Sequence, residues 1–320
     1  MQDKLIARAK ELLSEGKVKK VVGWKKGLFE DDITPALFTT AEELDKDFVF
    51  NKYCKANLSK YLVGITKNIE IAKSTTRMNN AMAKQRDPNA QDAPIPQEVV
   101  LVFLKPADTY SFTQLLKESR ITREDVYAIG VPCQDTLDGG DVCDNCAGKK
   151  PVSCDEYIGV DSNADVAPNT SRMDEVAKLE AMSVEERYNF WRNEFSRCIR
   201  CNACRNVCPA CTCEKCVFDN NALYTTQKVA ETHFEESLFH IIRAWHVAGR
   251  CTDCGECSRV CPQNIPLYLL NRKYIKDINE IYGDYQAGAD MESKPAMLCF
   301  QEDDPETTIV YDRSKDGGNE

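Results

Sequence analysis

Two runs in this chain, CIRCNACRNVCP (198–209) and CTDCGECSRVCP (251–262), share one spacing, C-x₂-C-x₂-C-x₃-C-P. No other feature constrains the fold as strongly. Four thiols at these intervals cannot all join one short-range pair, and the closing proline turns the chain away while lacking an N–H that would need a partner. The spacing is that of [4Fe–4S] ligation in two-cluster ferredoxins, in which the fourth cysteine of each run serves the other cluster. It assigns one cluster to Cys198, Cys201, Cys204 and Cys261, and a second to Cys251, Cys254, Cys257 and Cys208. Exchanging fourth ligands makes the clusters neighbours, and neighbouring redox centres imply a relay of electrons. The competing reading is a pair of structural zinc sites. Zinc uses paired C-x₂-C knuckles rather than a third cysteine at the same interval with a distant fourth. The long stretch between Cys208 and Cys251 holds a helix, so an α-helical ferredoxin arrangement is expected rather than a β-rich one.

The chain has 320 residues and 17 cysteines. The start, MQDKLIARAKELLSEGK, is charged and amphipathic, unlike a signal peptide. A reducing cytoplasmic setting is therefore expected, where clustered cysteines are metal ligands more often than disulfides. Lys and Arg total 41 against 51 Asp and Glu, a net charge of −10. That balance excludes nucleic acid as the main partner, because phosphate binding needs a basic surface. No apolar run is long enough to span a bilayer.

Two domains and an extension are expected. Residues 1–160 read as an α/β domain with a partly parallel sheet. Leu5, Ile6, Ala9, Leu12 and Leu13 share one face of a first helix that stops at Gly16. KKVVGW (19–24), EVVLVFLK (98–105) and VYAIGV (126–131) read as strands. A helix over 108–120, with Asp108 as N-cap and Phe112, Leu115 and Leu116 facing inward, completes a βαβ unit. The stretch 82–97 reads as a surface loop, and 159–171 as a linker. Residues 172–275 form the expected helical, ferredoxin-like domain with two [4Fe–4S] clusters. There Ser183 and Glu186 have capping-box spacing ahead of a helix over 184–197, with Tyr188, Trp191 and Phe195 on one side. A second helix over 233–250 places Leu238, Ile241, Ile242 and Trp245 on its core face. Residues 276–320 read as an extension, either partner-docking or mobile.

Nine cysteines lie outside the two runs. Cys133 sits at the C-terminal end of a predicted parallel strand, where ligands gather in α/β folds. Cys143 and Cys146 follow it, and Cys54 or Cys154 can complete a set of four for a third [4Fe–4S] cluster. A zinc knuckle or scattered thiols is the alternative. Cys211, Cys213 and Cys216 suit either a further cluster or spare thiols, and Cys299 is unassigned. His233, His240 and His246 are expected to be core or surface residues rather than ligands. Neither GxGxxG nor GxxxxGK is present, and Thr75, Thr76 and Arg77 are weak candidates for a flavin's phosphates.

These residues give the chain a resemblance to the beta-subunit family of coenzyme F420-reducing hydrogenases and formate dehydrogenases, in a form with a C-terminal dicluster module. The resemblance rests on KYCKANLSKYL (52–62), FLKPADTYSFTQLLKE (103–118), IGVPC (129–133), CDNC (143–146) with YIG (157–159), and the two cysteine runs with their flanks (197–216 and 243–267). It implies an iron–sulfur subunit of a larger complex, beside hydrogenase, formate dehydrogenase or heterodisulfide-reductase-like subunits, in anaerobic metabolism. It also implies that Cys54, Cys133, Cys143 and Cys146 ligate the N-terminal cluster, which favours Cys54 over Cys154. Several relatives bind FAD in the α/β domain. In the KPADTY segment this chain departs from relatives that carry a cysteine before the aspartate. Catalysis is expected in the complex rather than in this chain. The alternative is a catalytic FAD subunit that exchanges hydride with a carrier and passes electrons to its own clusters.

Overall fold

The computed structural model describes residues 1–29, 31–133, 151–159, 170–219, 232–295, 299 and 302. Cys143, Cys146, the linker over 160–169 and the C-terminal tail lie outside them.

The first half is built on a five-stranded sheet of order β2-β1-β3-β4-β5. Its strands are β1 (Lys20–Lys26), β2 (Ile33–Phe38), β3 (Val100–Leu104), β4 (Val126–Gly130) and β5 (Glu156–Tyr157). β1, β3, β4 and β5 pair in parallel, and β2 runs antiparallel on the edge beside β1. Every residue of VLVFL in β3 is buried, as expected for a central parallel strand covered on both faces. The helices here are α1 (Gln2–Ser14), α2 (Ala41–Asp47), α3 (Ser59–Arg86) and α4 (Pro106–Lys117). Leu5, Ala9 and Leu12 of α1 are buried, Ile6 and Leu13 pack beside them, and Gly16 takes φ +69° just past the helix end.

The βαβ unit over β3, α4 and β4 has the expected form with one correction. Lys105, not Asp108, stands at the N-cap of α4, and Pro106 opens the helix, where its missing N–H is no loss. Asp108 lies buried in the first turn, 2.7 Å from the Lys105 ammonium. The surface loop expected from residue 82 begins later, because α3 continues to Arg86.

The second half is helical: α5 (Asp174–Ala181), α6 (Val184–Ser196), α7 (Ala203–Asn206), α8 (His233–His246), α9 (Glu256–Arg259) and α10 (Leu267–Tyr282). Ser183 and Glu186 close the capping box of α6, and Thr232 and Glu235 close another on α8. α10 runs through residue 275, and Gly288 then packs tightly on the Tyr110 carbonyl of α4. This part of the extension packs on the first half, where Lys117 also donates to Ser293 at 3.1 Å.

The face of α8 is inverted relative to expectation. Phe234, Leu238, Ile241 and Trp245 are exposed, Phe234 at 73% and Trp245 at 55%, while Glu236, Phe239, His240, Arg243 and Ala244 are buried. Apolar periodicity predicts burial only where the core is apolar. Here the helix turns its polar side toward the cysteine loops.

Candidate iron–sulfur centre

The two cysteine runs repeat one backbone path. In the first, Arg200 and Asn202 flank Cys201 with φ of 51° and 60°. In the second, Asp253 and Gly255 flank Cys254 with φ of 55° and 73°. Left-handed conformations cost about 1–2 kcal/mol per non-glycine residue and are retained where surroundings dictate them. Each run then enters a single helical turn, α7 or α9, carrying the third cysteine. The chain thus curls twice around the second thiol, turning thiols and backbone toward a common centre.

Cys198, Cys201, Cys204 and Cys261 line one small cavity, walled by Phe239, His240, Ile265 and Leu267. Three of these thiols come from the first run and one from the second. Burial pushes the Cys257 thiol up to about 11 and the Cys198 thiol up to about 12, Cys198 also through its hydrogen bond to Glu236. The Cys208 thiol is held below the usual range by a hydrogen bond from Cys211 and by the nearby Arg243 guanidinium.

Arg243 tests whether these residues fit the clusters. Its side chain is buried, and its Nε, Nη1 and Nη2 have no hydrogen-bond partner among the described residues. Its charge is felt alongside Cys257, Cys204, Cys208 and Cys211, which include cysteines of both runs. A buried, unpaired guanidinium is costly. Acceptors such as cluster sulfides in the space between the runs satisfy it. Among the described residues, one group of three ligand atoms lies within 4.8 Å of one another, Cys198, Glu236 and His240.

Buried charges fix the loops from behind. Arg200 donates to Glu236 at 3.1 Å and lies 4.1 Å from the Phe239 ring centre. His240 stacks on Phe195 at 4.4 Å and sits 3.3 Å from Glu236. Asp253 is gripped by Arg272 at 2.9 Å and Arg172 at 3.3 Å. Asn271 donates to the Cys257 sulfur at 3.5 Å. The periodicity of the sequence did not single out these residues. The one available signal was charge on the α8 face opposite its apolar stripe.

The second run is sewn to the α/β half. The Asn57 N–H donates to Glu256 at 3.2 Å, Asn57 Nδ2 donates to Ser111 at 3.0 Å, and Ser111 and Thr252 share a hydrogen bond of 2.8 Å. Arg250 donates to Glu118 at 2.8 Å. The first run faces away, with Cys201 exposed and Ile199 51% exposed.

In the α/β half, Cys133 follows β4 directly, and the Cys154 sulfur lies beside Gly130 of that strand. Both thiols act on Tyr157, which burial pushes up first. Cys54 is fully buried in the sheet core, and burial pushes it up to about 11. Lys105 donates to the Ala56 carbonyl at 2.9 Å and lies 5.0 Å from the Trp24 ring centre. Burial raises the neighbouring Asp108 carboxyl to about 6. Thr75, Thr76 and Arg77 do not gather into a phosphate cradle. The Thr76 hydroxyl donates to Ala72, and Arg77 pairs with Glu70 on exposed α3.

Residues 194–265 match the 4Fe-4S dicluster domain family. The F420-dependent formate dehydrogenase subunit beta of Methanocaldococcus jannaschii is 32% identical over 122 residues, 37% of this chain and 31% of that protein. The F420-dependent formate dehydrogenase 1 subunit beta of Methanococcus maripaludis is 30% identical over 145 residues, 41% of this chain and 36% of that protein. The matched stretch spans about a third of the length of each relative. No helix among the described residues is long and apolar enough to cross a membrane. The chain thus carries a 4Fe-4S dicluster domain match over residues 194–265 and is similar over part of its length to the beta subunits of F420-dependent formate dehydrogenases.

Proposed function

We propose that this chain is the electron-relay subunit of a cytoplasmic, multi-subunit redox complex of the hydrogenase, formate dehydrogenase or heterodisulfide-reductase type. The carrying observation is the repeated left-handed curl of the two cysteine runs, with cysteines of both runs near the buried Arg243, whose side chain has no hydrogen-bond partner among the described residues. The relatives are beta subunits of formate dehydrogenases, which supports partner subunits by analogy.

In this reading Cys198, Cys201, Cys204 and Cys261 hold one [4Fe–4S] cluster, and Cys251, Cys254, Cys257 and Cys208 hold the other. Bound clusters supply one-electron acceptor and donor states at fixed positions. The protein sets their order. The seam through Asn57, Ser111, Thr252 and Glu256 presses the second run against the α/β half, and the exposed edge at Ile199 and Cys201 leaves the first run facing a partner. Hydrogen bonds to sulfur from Asn271 and the Arg200 backbone, with the Arg243 charge, tune potential. A third cluster in the α/β half takes Cys133, Cys143 and Cys146 with Cys54, or with Cys154, which shares the Tyr157 neighbourhood of Cys133. Residues 1–160, 172–275 and 276–320 are the working domain division.

The alternative reading makes this chain the catalytic subunit, with FAD in the α/β half. It draws support from the buried Lys105–Asp108 pair at the carboxyl end of β3, where ligands bind in open parallel sheets.

Cys257→Ala is expected to remove about four iron atoms while circular dichroism of the sheet is retained. An unchanged iron and acid-labile sulfide content contradicts the ligand assignment. Acid extraction of the anoxically purified chain is expected to release no flavin. FAD at near-unit ratio would transfer the proposal to the catalytic alternative.

A further inference from the structure

Cys211, Cys213 and Cys216 belong to neither run, yet all three line one cavity of about 710 Å³. The cavity lies at the meeting of the two halves, since Lys60 of α3 and Arg250 ahead of the second run also wall it. His246, set aside as a surface residue in the sequence, lines the same space from the end of α8. The described segment carrying the three thiols takes no regular structure from Cys211 to Cys216, so its C-x-C-x₂-C spacing can spread around an object.

We propose that Cys211, Cys213, Cys216 and His246 hold a further iron–sulfur cluster, separate from the two run clusters. Three observations support it. The walls are cationic: Arg205 reaches both the Asp219 carboxylate at 2.6 Å and the Cys216 thiol. Lys60 donates to the Cys211 carbonyl and has no carboxylate partner among the described residues. A thiolate-held cube is an anion and is stabilised by such surroundings. Second, Arg243 lines this cavity as well as lying near the run cysteines, and with no hydrogen-bond partner among the described residues its N–H donors can serve an anionic group here as well as the run clusters. Third, the three thiols and the His246 imidazole line this one cavity, four groups of the kinds that ligate iron–sulfur clusters.

The cavity is large enough for a cube with space to spare. Cys211 lies beside Cys208, the first-run cysteine assigned to the second cluster. The added cluster therefore stands between α3 of the α/β half and the dicluster pair, at the entrance to the relay. The inference rests on the iron–sulfur reading of the two runs, and its test separates the two.

The experiment compares the full chain, reconstituted anoxically with iron and sulfide, with the Cys211→Ser/Cys213→Ser/Cys216→Ser triple variant. The triple variant is expected to lose about four iron and about four sulfide while keeping the paramagnetic signal of the dicluster pair. Full retention of iron and sulfide overturns the site, as does zinc in place of the lost iron. Pulsed paramagnetic resonance of the reduced wild type is expected to show nitrogen hyperfine coupling on one cluster, absent in His246→Cys at unchanged iron content. If the triple variant does not fold, this spectrum decides: a His246-dependent nitrogen coupling upholds the site, and its absence overturns it. A wild type lacking the dicluster signal would instead sink the reading on which the inference stands.

Discussion

The two halves of this molecule have opposite interiors. The α/β half is held by aliphatic and aromatic side chains: Leu101, Val102, Phe103, Leu104 and Trp24 are buried in one continuous core. The helical half buries Arg200, Glu236, His240, Arg243, Glu256 and Arg272, and its apolar clusters are small and include Cys204, Cys257 and Cys208. The first interior is stabilised by removing apolar surface from water. The second contains charges that are costly without partners, and thiols that the proposed function gives to inorganic clusters. A chain can thus carry one domain that folds by burial and another whose folding is linked to its cofactor.

Removing iron breaks this comparison most severely. Anoxic chelation is expected to abolish amide-exchange protection across α6, α8 and α10 while β1, β3 and β4 stay protected. Equal loss in both halves would show that the sheet also depends on the clusters. Single substitutions sharpen the contrast. Asp253→Asn leaves Arg172 and Arg272 facing a neutral group in the helical half, and is expected to cost about 3–5 kcal/mol and to lower iron retention. Leu101→Ala is expected to cost about 2–5 kcal/mol in denaturant unfolding of the sheet, with iron content unchanged. Iron loss in Leu101→Ala would mean that the halves unfold as one unit. The smallest effect belongs to Ser183→Ala, which removes the α6 cap hydrogen bond to Glu186 and is expected to cost about 1 kcal/mol. No change would place that helix end outside the cooperative unit.

The same contrast explains what could be read before the fold was seen. In the α/β half, apolar runs reported burial directly. VLVFL became the central strand and the βαβ unit formed, with the α4 cap misplaced because Asp108 is drawn inward by Lys105, and the loop expected from residue 82 begins only after Arg86. β2 went unread, since an edge strand with ITPALF carries a proline and weak alternation. In the helical half, the cysteine spacing was legible because it is the spacing that cluster ligation requires. The face of α8 was not. The hydrophobic stripe at Leu238, Ile241, Ile242 and Trp245 predicted burial, but Leu238, Ile241 and Trp245 are exposed and the helix buries Glu236, His240 and Arg243 instead. Arg243 and Glu236 could not be recognised from periodicity, because periodicity weighs apolar surface and these residues act through charge. Of the cysteines expected to hold a third cluster, Cys143 and Cys146 lie outside the described residues.

The central claim is tested most directly by continuous-wave paramagnetic resonance on the chain purified under strict anoxia and reduced with dithionite. Two adjacent reduced cubes are expected to give a broadened, spin-coupled spectrum, which Cys257→Ala simplifies to uncoupled signals. A colourless protein with no resonance after reduction, or uncoupled signals in the wild type that Cys257→Ala leaves unchanged, would contradict the account.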